Sequence, residues 1–389
     1  MGEIEVKFIP ELSWTERDLP QYERTKHVHG IHPYLGKFVP QIVDFFLERY
    51  FRKGSFVLDP FVGSGTTVIE ANTHSMNSAG IDVSEFNILL CKVKISEYDL
   101  QLLKYEFKDI VRRVKILVDR KSSQNVIEDF LDDNPLTDTH AATEIRESSE
   151  YLKKWFHKDA LLPMLYFRDL IPNYHYQDAL KILLSRVARS SRMIPHFQLD
   201  FPSKPYVEDY YCHKHKRICH PTRDALGFMT RYSEDTFNRI ASFQKLRTHS
   251  PIELVHGDSR IIKLPHCDGV ITSPPYIGLI DYHDQHRYAY ELLGLRDKSE
   301  SEIGAKRLKN GKAARSAYQD SIAKVIKRLA DSTDGPIIFV VNDKYELYEA
   351  ICEDAGVEIK ERLKRKVDRR TGRRSNGDFA EDIIVMGTN

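Results

Sequence analysis

Short apolar runs that end in an acid or a turn punctuate the chain. Ser55-Phe56-Val57-Leu58-Asp59 and Ser78-Ala79-Gly80-Ile81-Asp82 come early; Ile252–Asp258, Gly269–Thr272 and Pro336–Val341 come late. Runs of this length bounded by Gly, Pro or Asp read as strands, and the β-branched Pro336–Val341 reads as a buried one. After Pro40, the apolar positions Ile42, Val43, Phe45, Phe46, Leu47 and Tyr50 suit an amphipathic helix entered through a proline in its first turn. A Gly-rich turn and a helix from Thr67 to His74 separate the first two strands, and strand, Gly loop, helix, strand is the first half of a doubly wound α/β sheet. The alternation then stops. Helical periodicity marks Leu100–Val118, Tyr151–Ile171, Tyr176–Ser190 and Thr222–Leu246, with a polar stretch from Lys121 to Ser149. Tyr345–Ala355 reads as a helix, and Val357–Val367 and Asp382–Met386 as closing strands. The polar, Pro-punctuated residues up to about Thr25 read as an arm. No internal repeat is present. The pattern predicts one α/β sheet interrupted by a helical insertion of roughly 150 residues, a normal domain size, with divisions at 1–98, 99–250 and 251–389.

Composition narrows the class. Of 389 residues, 41% are hydrophobic and 30% charged, which fits a globular chain rather than a disordered or membrane one. No apolar run approaches the roughly 20 residues needed to span a bilayer. The N-terminus lacks the order of a secretion signal, and five cysteines make a disulfide framework improbable, so a cytoplasmic protein is expected. Net charge is only +1, yet Ser185–Ser250 carries 12 Lys/Arg against 6 Asp/Glu, and Ile359–Arg374 carries 9 against 2. Such stretches predict a localised polyanion-binding face, solvated helical or hairpin surfaces being the plainer alternative.

Two motifs carry chemistry. The first is Asp59-Pro60-Phe61-Val62-Gly63-Ser64-Gly65-Thr66-Thr67. Gly63 and Gly65 let the backbone turn tightly and approach a ligand, in the strand-to-helix context that such a loop requires. Asp82, 17 residues past Gly65, stands where an acid accepts hydrogen bonds from ribose hydroxyls. The loop has no third glycine for a pyrophosphate and no Gly-Lys-Ser/Thr, so a nucleoside-type cofactor is favoured over NAD or ATP. The second motif, Thr272-Ser273-Pro274-Pro275-Tyr276, directly follows a predicted strand. Its prolines stiffen the loop and remove two donors, leaving a hydroxyl, carbonyl oxygens and an aromatic face able to hold an amino group on a planar ring.

Together these motifs resemble the amino-methylating DNA methyltransferases of restriction–modification systems. His32-Pro33-Tyr34-Leu35-Gly36-Lys37-Phe38-Val39-Pro40 resembles that family's segment ahead of the Gly loop, and Val255-His256-Gly257-Asp258 its third-strand end. The resemblance covers roughly 27–98 and 252–389 and does not reach the insertion, which falls between the second-strand and third-strand acids. It implies a Rossmann-like S-adenosylmethionine-dependent methyltransferase sheet with a mainly helical inserted domain. Residues 1–98 would be an arm and the cofactor-binding half, 99–250 a target-recognition, DNA-binding region, and 251–389 the catalytic half. It implies that Asp59 and the backbone at Gly63 and Gly65 hold the methionine end of S-adenosyl-L-methionine, Asp82 its ribose and Asp258 its adenine. Tyr34, Lys37, Phe38, Pro60, Phe61, Ser64, Thr66 and Thr67 complete the cofactor set. Ser273, Pro274, Pro275 and Tyr276 form the catalytic loop. Members with Ser at the first position of that loop mostly methylate N4 of cytosine, and those with Asn or Asp there mostly N6 of adenine.

The expectation is therefore a site-specific, cytosine-N4 methyltransferase acting on double-stranded DNA, beside a cognate restriction endonuclease. The alternatives are an adenine-N6 enzyme, an RNA base-amine methyltransferase, and a non-catalytic DNA-binding subunit. The absence of a Pro-Cys pair in the loop argues against C5 chemistry, which needs a thiolate. Arg217, Arg369, Arg370, Arg373 and Arg374 are the candidate DNA contacts. Tyr282, His283, His286 and Arg287 either line the base pocket or belong to a structural helix. Cys212, His215, Cys219 and His220 offer four zinc-type ligands, but the spacing matches no common finger and the adjacent Cys219-His220 pair is cramped. The reading taken is a basic loop touching phosphate, without metal.

Overall fold

The computed structural model describes residues 6–36, 39–124, 148–195, 198–200, 202–213, 215–367 and 379–387. Its strands are β1 (Val6–Phe8), β2 (Phe56–Asp59), β3 (Asn77–Asp82), β4 (Tyr210–Cys212), β5 (Arg217–Cys219), β6 (Ile252–His256), β7 (Gly269–Thr272), β8 (Ile337–Val341), β9 (Glu358–Val367) and β10 (Phe379–Gly387). Eight of these form one sheet in the order β1-β9-β10-β8-β7-β2-β3-β6. β10 runs antiparallel to both β8 and β9, and every other neighbouring pair in the sheet is parallel. β4 and β5 form a separate hairpin.

The buried β8 run, Ile337-Ile338-Phe339-Val340-Val341, shows how the sheet is covered. Alternate side chains of a strand point to opposite faces. Ile337, Phe339 and Val341 pack with Ile322, Val325 and Leu329 of the helix Lys312–Ala330 and with Ile351 of the helix Tyr348–Ala355. Ile338 and Val340 pack with Ile42, Val43, Phe46 and Leu47 of the helix Pro40–Tyr50. Both faces are thus closed, as a mainly parallel sheet requires. The fold is α/β, a Rossmann-like, mainly parallel sheet with one antiparallel strand.

Between β3 and β6 the chain is mainly helical, through Glu85–Ile95, Leu100–Gln124, Glu150–Trp155, Lys158–Leu170, Gln177–Ser191 and Leu226–Gln244. Leu103, Phe107 and Ile110 share a core with Leu161, Leu165, Leu183 and Phe243. Phe86, Leu90 and Val93, from the helix that follows β3, belong to the same cluster, so these helices dock directly on the flank of the sheet.

The periodicity locates these elements with specific differences. The segment read as an arm is tied down: Val6–Phe8 adds parallel to β9 at the sheet edge, and Leu12 and Leu19 are buried against the sheet. Tyr151–Ile171 is broken at Phe156-His157, where the His157 side chain caps a new helix by accepting from the Asp159 amide. The hairpin β4–β5 interrupts the helical segment. Among the described residues no helix is long and apolar enough to cross a membrane.

Candidate functional site

The carboxyl ends of β2, β3, β6 and β7 lie side by side and carry Asp59, Asp82, Asp258 and Ser273. From β2 the chain proceeds outward through β3 to β6, and from β7 it proceeds the other way through β8. The crevice at such a reversal is where open α/β sheets bind ligands. A cleft of about 760 Å³, counting its open mouth, occupies it. Gly63, Ser64 and Thr66 of the Gly loop line it, together with Asp82, Asp258, Ser273 and Pro275. The two motifs therefore share one cavity, although about 200 residues of sequence separate them.

The Gly loop is held in three ways. Gly63 and Gly65 take φ of +48° and +86°, and a Cβ on Gly65 would stand 2.9 Å from Cys91 Sγ. Side chains at φ > 0 are costly, so glycine is required at Gly65 on both counts. The Gly63 amide donates to Asp82 Oδ2 at 2.9 Å, while Ser84 donates to Oδ1 at 2.8 Å. The buried Lys94 ammonium donates to the Ser64 carbonyl at 2.5 Å, and burial lowers this ammonium's pKa to about 8.

Asp59 is 1% exposed and sits behind the wall made by Pro60 and Phe61. Its Oδ1 accepts from Thr272 Oγ1 at 2.5 Å and from the Phe61 amide at 3.1 Å, whereas its Oδ2 is buried without a partner. Burial pushes its carboxyl up to about 6, against the lowering effect of hydrogen bonds from Thr272, Thr67 and Phe61. The buried Ser64 Oγ and Asn87 Oδ1 in the cleft wall also have no partner. This set fits S-adenosylmethionine: a buried carboxylate oxygen asks for a cation, and orphaned acceptors ask for donors. Asp82 is raised by burial, moderated by the amides of Ser84 and Gly63 and by the Asn87 side chain. Asp258 is lowered, because its hydrogen bonds from Arg260 and the Arg260 charge outweigh burial. That carboxylate lines the cleft already paired, which sequence spacing does not reveal.

In the second motif, the Ser273 hydroxyl lies 3.0 Å from the Val340 carbonyl and 3.5 Å from Tyr276 OH. Donation to Val340 leaves the lone pairs of Oγ as acceptors. The half-buried Tyr276 donates its hydroxyl to Glu381 Oε1 at 3.3 Å. Burial and the Glu381 charge hold the phenol well above its ordinary pKa, so it remains a donor. Glu381 is clamped through Oε2 by the buried Arg365, at 2.8 and 2.6 Å. A chain Arg365–Glu381–Tyr276 thus fixes the aromatic ring through its hydroxyl.

Other expected positions divide. Tyr34 lines the cleft and its hydroxyl accepts from Asn87 at 3.1 Å. Thr67 is buried and reaches the Ile271 carbonyl at 3.2 Å, a brace between the helix Thr66–Thr73 and β7. Lys37, Phe38, Arg369, Arg370, Arg373 and Arg374 lie outside the described residues. Tyr282 reaches the cleft, but His283 and His286 are buried, the first against Glu302 and the second stacked 4.5 Å from Phe86. Arg287 pairs on the surface with Glu291 at 3.2 Å. Arg217 is exposed on β5. Of the four potential zinc ligands, Cys212, His215 and Cys219 converge, while His220 pairs with Asp209 at 2.5 Å. Asn87, Ser84, Lys94, Glu302 and Glu381 are site residues that the sequence reading misses. Of these, Ser84-x-x-Asn87 carries a legible signal, a helix N-cap directly after the second strand acid.

Sheet order, the single reversed strand and an acid-lined cleft built for a nucleoside carrying positive charge define an S-adenosylmethionine-dependent methyltransferase. The family model N6_N4_Mtase, described as DNA methylase, matches residues 9–92. The type II methyltransferase M.MjaII of Methanocaldococcus jannaschii is 34% identical over 434 aligned positions, covering 95% of this chain and 82% of that one. M.BsoBI of Geobacillus stearothermophilus, also a type II methyltransferase, is 25% identical over 77% of this chain and 60% of its own. Among solved structures, TrmN from Thermus thermophilus aligns at 11% identity over 91% of this chain and 50% of its own, with a TM-score of 0.34. The chain belongs to the amino-group (N6/N4) DNA methyltransferases, as a type II enzyme of restriction–modification systems.

Proposed function

We propose that this enzyme methylates N4 of cytosine at a specific site in double-stranded DNA. The observation that carries the reading is Ser273, whose hydroxyl is turned to the Val340 carbonyl and whose lone pairs are thereby available in the cofactor cleft. An exocyclic amine is a poor nucleophile because its lone pair is delocalised into the ring. Ser273 Oγ and the Pro274 carbonyl accept the two amine hydrogens and draw the nitrogen toward tetrahedral geometry. Tyr276, braced by Glu381, stacks on the base. Bound S-adenosylmethionine supplies an electrophilic methyl group. Asp59 holds its methionine end, Asp82 its ribose and Asp258 its adenine, so much of the acceleration comes from positioning. The target base must leave the helix, at a cost of a few kcal/mol of unstacking.

The helical segment within 99–250 is assigned to target recognition, with the exposed Arg217 of the β4–β5 hairpin as a phosphate contact. A cognate endonuclease cutting the same site is the expected companion. The test is digestion of methylated DNA to nucleosides and their separation by mass. N4-methylcytosine supports the reading; N6-methyladenine assigns the site to adenine.

A further inference from the structure

The β4–β5 hairpin is short. Each strand has three residues, and an isolated two-stranded hairpin is marginal in water. Its apolar cross-strand pair, Tyr211 opposite Ile218, faces solvent at 51% and 57% exposure, and so adds little. The opposite face differs. In the register Tyr210↔Cys219 and Cys212↔Arg217, residues opposite one another share a face, so both cysteines lie on one side. Both are buried, at 0% and 7% exposure. The turn between the strands takes Lys216 through φ of +52°, and the His215 amide donates to the Cys212 carbonyl at 3.2 Å. His215 is thereby folded back over the cysteines, with Nδ1 3.4 Å from Cys219 Sγ. The donor atoms of Cys212, His215 and Cys219 all lie within 4.8 Å of one another.

The His215–Cys219 separation matches the edge of a metal polyhedron, and the 4.8 Å bound admits the other two edges. Zinc binds thiolate sulfur at about 2.3 Å and imidazole nitrogen at about 2.0–2.1 Å, so a tetrahedral S–N edge spans about 3.5 Å and an S–S edge about 3.8 Å. We propose that Cys212, His215 and Cys219 bind a zinc ion through two thiolates and one imidazole, with water in the fourth position. His220 pairs with Asp209, and His213 packs its ring on Tyr211, 5.1 Å away on the other face, so neither is a ligand. The ion closes the hairpin as a staple, and its binding energy becomes folding energy for this element. It thereby fixes Tyr211, Lys216, Arg217 and Ile218 as a rigid, basic and aromatic tip.

The test is the metal content of the full-length protein purified under reducing conditions from zinc-replete cells. About one zinc per chain is expected. Cys212→Ser and Cys219→Ser lose it, while His220→Ala and Cys267→Ser keep it. Cobalt titrated into chelator-treated wild-type protein produces a thiolate-to-cobalt charge-transfer band and the visible absorption of a tetrahedral site. This measurement decides the matter even if the serine variants fail to fold. A metal-free protein that develops no cobalt–thiolate band overturns the proposal. So does a Cys212–Cys219 disulfide in protein isolated with its thiols trapped, or zinc that depends on His220.

Discussion

Asp59→Asn separates stability from function. Asp59 is fully buried and binds its proton more tightly in the folded chain, near a pKa of about 6, than at its ordinary 3.8. Folding therefore takes up protons, and this residue makes the protein less stable as pH rises from about 4 to about 6. At neutral pH the gap corresponds to about 3 kcal/mol held against folding. Asparagine removes the charge and keeps an acceptor for Phe61 and Thr272. It also places a buried amide where Oδ2 has no partner, which returns about 1–2 kcal/mol of the gain. The apo variant is expected to be about 1–2 kcal/mol more stable at pH 7, a rise in Tm of roughly 1–3 °C given an unfolding entropy of about 2 cal/mol/K per residue. The advantage fades as pH falls from 6 toward 4, where the wild-type carboxyl is protonated in the folded state. Binding suffers in the opposite sense. With no carboxylate to meet the cofactor's ammonium, S-adenosylmethionine affinity falls by at least about 100-fold, following the cost of leaving a desolvated charge unpaired. Thermal melting from pH 4 to 7.5, with and without cofactor, reads both effects, and calorimetry gives the affinity. A Tm difference independent of pH, or micromolar binding retained by the variant, refutes the argument.

Further substitutions probe the rest of the site and the basic stretch near the C-terminus. Tyr276→Phe keeps the ring and removes the donor to Glu381, so kcat falls by about tenfold or less, whereas Tyr276→Ala costs 100-fold or more with cofactor affinity unchanged; equal losses in kcat and affinity contradict the stacking role. Glu381→Ala leaves the 2%-exposed Arg365 without its carboxylate and should cost about 3–5 kcal/mol in chemical denaturation. A loss below about 1 kcal/mol would show that Arg365 finds another partner. Neutralising Arg369, Arg370, Arg373 and Arg374 should lower the slope of log K against log salt for DNA binding, since each phosphate contact adds about one to it; an unchanged slope removes this stretch from the interface.

What the chain discloses in advance follows the range of the forces involved. Asp59 to Thr67 and Thr272 to Tyr276 are legible because their constraints are local: glycines where φ is positive, prolines that stiffen a loop, acids where strands end. β8 is legible because a strand buried on both faces must be apolar throughout. β1 is not. Val6 and Phe8 are exposed, and three residues become a strand only because β9 offers Arg362–Lys364 as an edge more than 350 positions later. The helix Lys312–Ala330 does carry its signal in Tyr318, Ile322, Val325, Ile326 and Leu329, at helical spacing within a Lys- and Arg-rich segment. Glu381 shows the limit most clearly. In sequence it is one acid among 57. It gains a role only because β10 enters the sheet in reverse between β8 and β9, bringing it to the Tyr276 hydroxyl and beside Arg365 at once. The reactive groups of this site are thus written locally, whereas the groups that hold them still are set by strand order.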